Sequence, residues 1–161
     1  MLRRSLLVAV MVLFPAALAA APASLAAASG TPSHAPASCS GVIQITRLAF
    51  SPRAVTPGGT STANLTARNC TGTSQQTTAV WLGRFVGSGV GIPPGCPAID
   101  PLPLSATFAP HGQLRSSVGY LVPSGCTATQ LQVTVEIEQG GTVLAERTAD
   151  LAVIIQPSAA S

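Results

Sequence analysis

Cys39, Cys70, Cys96 and Cys126 are the residues of this chain whose chemistry most constrains its reading. Four thiols can hold a zinc ion or close two disulfides. Structural zinc draws its ligands from closely spaced pairs that converge on one ion, and no CxxC pair occurs here. The two histidines add nothing to a metal set: His34 sits in "SGTPSHAPAS" and His111 in the turn-forming "APHGQ". An even cysteine count behind an export signal reads instead as two disulfides. Neither a metal nor an organic cofactor is expected.

The other reactive side chains form no recognisable machinery. Asp100, His111 and one of many serines would make a hydrolytic triad on paper, but no nucleophile elbow or Gly-rich oxyanion loop accompanies them. Glu136 and Glu138 are two residues apart, which on a strand places both on one solvent face. That suits edge protection better than paired-carboxylate glycoside chemistry. The expectation is a protein without enzymatic activity. Trp81, the only indole, is either a platform for a sugar ring or a core plug. Asn64-Leu65-Thr66 and Asn69-Cys70-Thr71 match the glycosylation sequon, but the alanine-rich, lysine-free composition reads as bacterial, so both matches are taken as chance.

These residues must be positioned by the elements around them. "MLRRSLLVAVMVLFPAALAA" has a positive start, an apolar run from Leu6 to Leu18 and small residues after it, as an export signal does. The run is too short for a membrane span. Residues 1–28 are therefore assigned to the signal, with cleavage after Ala19 or Ala28. Residues 29–38 form a disordered Ser/Pro/Ala leader, 39–156 the folded domain and 157–161 a disordered tail. The mature protein is expected to be secreted, with no membrane span. Lipid anchoring through Cys39 is the alternative, opposed by Pro36 and by the odd cysteine it would leave. The net charge of +3 includes Arg3 and Arg4; without them six arginines stand against five carboxylates, a net of +1. The arginines are dispersed along the sequence, so no nucleic-acid partner is expected.

The hydrophobic period is two nearly throughout. In "TQLQVTVEIEQ", Leu131, Val133, Val135 and Ile137 share one face, and Gln132, Thr134, Glu136 and Glu138 the other, as in a half-buried antiparallel strand. Gly140 and Gly141 then make a hairpin turn. Strands are expected at 42–50, 60–68, 77–85, 104–108, 113–122, 130–138 and 142–154. Parity changes near Thr46 and Arg47 imply a bulge, and Arg147 on an inward parity implies a bulge or an edge position. Seven short strands separated by turns predict an all-β fold, a seven-stranded antiparallel immunoglobulin-like β-sandwich. Alternating strand directions put Cys39 and Cys70 at one end, and Cys96 and Cys126 at the other if the 104–108 strand exists. The pairing is therefore Cys39–Cys70 and Cys96–Cys126.

The run "IQITRLAFSPRAVTPGGTSTANLTARNCTGTSQQTTAVWLGRF" places Pro52, Val55, Pro57, Gly58, Asn69 and Gly72 in a strand–turn–strand pattern that resembles the immunoglobulin-like modules of the CARDB type, cell-adhesion-related domains of secreted bacterial proteins. Pro110 and Gly112 match a later turn of that pattern. The resemblance covers Val42 to Ile154 and implies the sandwich fold and an accessory role, with no catalytic residues. A Trp on the third strand of such a sandwich packs inward, so Trp81 is expected in the core. The long connection "VGSGVGIPPGCPAIDPLP" carries the candidate contact residues Val90, Ile92, Ile99 and Leu102, with Phe85 at the strand end beside them. The expected function is binding at or outside the cell envelope, to an extracellular protein or cell-surface component. Polysaccharide binding is the alternative and a spacer role the third.

Overall fold

The computed structural model describes residues 38–155. The export signal, the leader up to residue 37 with His34, and the tail from 156 onward lie outside the described residues. Among the described residues there is no helix. Eight strands form: β1 (Ile43–Ser51), β2 (Ala54–Val55), β3 (Thr60–Asn69), β4 (Gln75–Val86), β5 (Leu102–Phe108), β6 (Gln113–Leu121), β7 (Gln130–Gln139) and β8 (Thr142–Val153). Seven match the expected strands to within a few residues; β2 is the addition. It is two residues of "SPRAVTPGG" that pair in parallel with the end of β8.

The strands build two facing sheets, β1-β3-β6 and β2-β8-β7-β4-β5, so the fold is an all-β sandwich. Period-two alternation drives it. Ala63, Leu65 and Ala67 of β3, Ala79, Trp81 and Phe85 of β4, and Leu131, Val133, Val135 and Ile137 of β7 all turn into one core. Burying such side chains contributes roughly 1.5–3 kcal/mol each for the larger aliphatic and aromatic ones. Trp81 is 1% exposed, which answers the platform-or-core question in favour of the core.

The turns follow the glycines. Gly140 and Gly141 have φ of 58° and 81°, and Gln139 pairs with Thr142 around them, as a two-residue hairpin of type I′ requires. The β1 bulge falls at Thr46, between Ile45 and Arg47 in the register. At Arg147 the outcome is the edge position, not the bulge. The register of β7 with β8 shifts instead between Ile137 and Glu138, opposite Leu144. Arg147 Nη1 donates to the carbonyls of Ile45 and Thr46, both at 3.2 Å, and so ties β8 to the bulge of β1 across the open side of the sandwich.

Two disulfides close as expected, Cys39–Cys70 with Cα atoms 5.6 Å apart and Cys96–Cys126 with Cα atoms 4.4 Å apart. They lie at opposite ends because β5 exists and reverses the chain between Cys96 and Cys126. Disulfides of this kind persist in oxidising compartments. No helix among the described residues is long and apolar enough to cross a membrane.

Candidate functional site

The end of the sandwich held by Cys96–Cys126 is built from two short turns with related sequences, "PPGC" (93–96) and "PSGC" (123–126). In each, the cysteine N–H donates to the proline carbonyl three residues back, Cys96 to Pro93 at 3.1 Å and Cys126 to Pro123 at 3.0 Å. Thr127 N–H then donates to Pro94 O at 3.0 Å and links the turns. Gly95 has φ of 71°, and a Cβ there would stand 1.9 Å from the carbonyl oxygen of Gly125. Only glycine permits that approach.

The docked turns anchor the 87–101 connection across the lower edge of β4. β5 begins at Leu102, which pairs with Trp81, so the lower half of β4 has no strand beside it on that flank. Pro101 and Pro103 lack the N–H that would extend the ladder. A mainly apolar cleft of about 370 Å³ opens there, lined by Trp81 and Phe85 of β4, Val118 and Tyr120 of β6, Ile99 and Asp100 from the connection, and Leu102 at the start of β5. The indole N–H of Trp81 is buried and has no acceptor among the described residues. Burial pushes the Tyr120 hydroxyl up to about 12 from its ordinary 10.0.

β6 forms the rim of the cleft and is an edge of its sheet. Val122 donates to Gly59 O and accepts from Gly58, and Gly112 O accepts from Asn69 N–H. By the two-residue alternation of an antiparallel ladder, even-numbered residues of β6 bond to β3. Arg115, Ser117, Gly119 and Leu121 then turn their N–H and C=O groups outward. The other edges are guarded. β1 carries the bulge and the Arg147 clamp, β8 is free of β2 before Ala152 but carries Glu146, Arg147 and Asp150, β2 is two residues long between Pro52 and Pro57, and β5 contains Pro103. β6 runs nine residues without proline or bulge. Its inward Leu114, Ser116 and Val118 are only half-buried.

The expected contact residues separate under this geometry. Val90 and Ile92 are exposed at the tip of the connection, Leu102 is 42% exposed, and Ile99 is half-buried over Gly83. Phe85 is a correction: at 6% exposed it belongs to the core and the cleft floor, because it stands on the inward parity of β4. Leu121, 59% exposed, joins the apolar surface and was not foreseen. The period-two pattern marks its strand but carries no sign that the strand is an edge. Cys39 is bonded to Cys70, so its sulfur is not free for a lipid thioether, and that alternative falls. Asp100 and His111 stand at opposite ends of β5, about 20 Å apart at strand rise, and share no site. The five aromatic rings of the described residues are all buried, so none offers a flat sugar platform.

The far end is polar. Asn69, 2% exposed, donates through Nδ2 to Thr73 O at 2.6 Å and Ala109 O at 3.0 Å. Its Oδ1 accepts from Thr71 N–H and Thr71 Oγ1. That amide is fully used within the fold, which removes the second sequon from consideration as a modification site.

No family model matches the chain, and no curated protein matches it. Solved structures to which it is similar include the Pseudomonas fluorescens alkylpurine DNA glycosylase AlkC bound to DNA containing an abasic site analog, at 15% identity and a TM-score of 0.51. That match covers 70% of this chain and 31% of the glycosylase. The Bacillus subtilis sporulation control protein Spo0M matches at 12% identity and a TM-score of 0.47, over 73% of this chain and 50% of that one. The ASH/PapD-like domain 7 of human CEP192 matches at 18% identity and a TM-score of 0.37, over 81% and 94%. The chain thus spans about a third of the glycosylase and half of Spo0M. The first likeness shows fold alone, yet it corrects one expectation. A sandwich like this one forms part of an enzyme, so the expectation of a protein without catalytic activity is withdrawn.

Proposed function

We propose that the protein is a secreted binding module that seats an extended segment of a partner protein along the outer edge of β6, with alternate apolar side chains of that segment entering the cleft below. The observation that carries this reading is the single unguarded strand edge standing directly over an apolar cleft. Long, flat edges without proline or bulge are templates for another strand, and β6 carries Arg115 as its one charge. The width of the opening favours one added strand. β1 faces β8 through Arg147, and β6 faces β4, where a Cβ on Gly83 would lie 3.4 Å from Tyr120. β5 is therefore left as an outer lane with no strand opposite it, narrow at the 109–112 turn and open toward Leu102 and Leu121. A two-fold pairing of β6 with a second copy would bring the overhanging β5 strands together. Val90, Ile92 and Leu121 extend the contact as an apolar rim. The accessory role implied by the CARDB resemblance agrees with this reading.

Panning the oxidised domain against a displayed library of nine-residue segments tests it. Enriched segments should alternate apolar and polar residues. Their binding should vanish with Ser117→Pro, which removes an outward N–H from β6 and no ladder bond. The unfolding free energy of that variant should stay within about 0.5 kcal/mol of the parent. No enrichment, or binding that ignores Ser117→Pro, would overturn the reading, and concentration-dependent dimers lost in the same variant would assign the edge to a second copy instead.

A further inference from the structure

Charge is sorted between the two outer faces in a way the linear sequence conceals. On the outer face of β1-β3-β6 the register sets Arg47 beside Thr66 and Thr66 beside Arg115. The next row is Gln44, Arg68 and Gln113, and the row on the other side is Ala49, Asn64 and Ser117. Three arginines share this face with amides and hydroxyls and with no carboxylate. Glu136, Glu138, Glu146 and Asp150 lie on β7 and β8, in the other sheet, with Arg84 as the cation of that face. The sequence reading of dispersed arginines is thus corrected: strand pairing gathers residues that are 21 to 68 positions apart.

We infer that this face is a second binding site, for a polysaccharide bearing anionic groups. Arg47 and Arg115 stand two strands apart, about 10 Å between Cα atoms, with Thr66 between them. Two guanidinium groups that reach toward each other over a threonine hydroxyl can clamp one carboxylate or phosphate oxyanion from both sides. They line a depression of about 540 Å³ together with Asn64, Ser51 and Ser117. Those amide and hydroxyl groups match the alternating donors and acceptors of sugar hydroxyls. A nucleic acid is the weaker fit. The face carries no aromatic side chain for base stacking, since every aromatic ring among the described residues is buried, and three arginines give few phosphate contacts. Two arginines facing each other without a carboxylate repel, so an anion between them removes a cost that the free protein carries.

The site is independent of the cleft, which lies on the inner side of β6, and its test leaves the cleft intact. Isothermal titration of the oxidised protein would use polygalacturonate as the carboxylate polysaccharide and a phosphomannan as the phosphodiester polysaccharide. Methyl-esterified polygalacturonate is the uncharged control and duplex DNA the competitor. The expected result is binding to one or both anionic glycopolymers that weakens with salt. It should fall about tenfold in Arg47→Gln and in Arg115→Gln, as the loss of a charge-assisted contact predicts, and stay unchanged in Arg84→Gln. Preference between the two polymers identifies carboxylate or phosphate as the group recognised. Equal binding to the esterified polymer, indifference to both arginine variants, tighter binding to DNA than to either glycopolymer, or no binding at all would each overturn the inference. Salt-sensitive self-association in sedimentation, abolished by Arg115→Gln, would assign the face to the acidic face of another copy instead.

Discussion

The two ends of this sandwich are stapled alike and built differently. Each disulfide joins cysteines about thirty positions apart, 31 at one end and 30 at the other. Chain entropy alone gives the two staples nearly equal worth, about 3–4 kcal/mol. Beyond the staple the ends diverge. At the Cys39–Cys70 end the loops are fastened by the Asn69 amide, which meets two carbonyls and the N–H and hydroxyl of Thr71. At the Cys96–Cys126 end the turns are fastened by the approach of Gly95 to Gly125 and by the Thr127 N–H bond to Pro94 O, with no buried side-chain amide among the described residues there, and Ile99 packs over Gly83 beyond them. Among the described residues, six of the seven large exposed hydrophobic ones (Val90, Ile92, Leu102, Leu121, Ile154 and Ile155) lie toward this second end. A closed polar end and an open apolar end on one scaffold separate the work of holding the fold from the work of contact.

Removing each disulfide in turn breaks the comparison most sharply. Cys39→Ala with Cys70→Ala, and Cys96→Ala with Cys126→Ala, should each lower stability by about 3–4 kcal/mol in denaturant unfolding. Their native states should differ. With the Asn69 network intact, the first pair leaves the emission of Trp81 blue-shifted and poorly quenched. The second pair frees the cover over the cleft and shifts that emission to the red. Identical emission from both would mean that the 87–101 connection is held by packing alone and that the ends do not differ as described.

Most of this fold was legible in the sequence because its causes are local. Alternation fixed the strand faces, the Gly140-Gly141 pair fixed a hairpin, and strand counting fixed the cysteine pairing once the 104–108 strand was included. The features that failed to show are those that depend on which strands become neighbours. That β6 is an edge, that Pro103 guards the opposite edge, and that Arg47 and Arg115 flank Thr66 are properties of sheet order and register. No local propensity encodes them. Phe85 departs from expectation for a related reason: it adjoins a loop in sequence but stands on the inward parity of β4. The repeated "PxGC" turns are legible in the sequence, but their docking rests on the approach of Gly95 to Gly125, a tertiary contact.

The cleft can be sharpened through Tyr120, the only tyrosine. Burial raises its hydroxyl to about 12, whereas the unfolded chain ionises near 10.0. Between those values the folded state retains a proton that the unfolded state has lost, so stability is unaffected below pH 10 and falls as pH rises from 10 toward 12. The full effect of a two-unit shift is roughly 2–3 kcal/mol. Denaturant midpoints across pH 9–12, read beside tyrosinate absorbance, check it. Ionisation near 10 with no loss of stability would mean that the cleft is wet and that its floor is no part of the core.

The smallest effect is expected at the tip of the connection, and its smallness is the point. Val90 is fully exposed and Ile92 59% exposed, so Val90→Ser and Ile92→Ser should change stability by no more than about 0.5 kcal/mol. Apolar side chains that the fold does not need are costly to display in water without a use. The same pair of substitutions should weaken segments selected on the β6 edge by several-fold, since it removes rim area from the contact while sparing the backbone bonds of β6. A stability loss of 2 kcal/mol or more in either variant would show that the tip folds back on the domain, and the apolar end would then be as closed as the polar one.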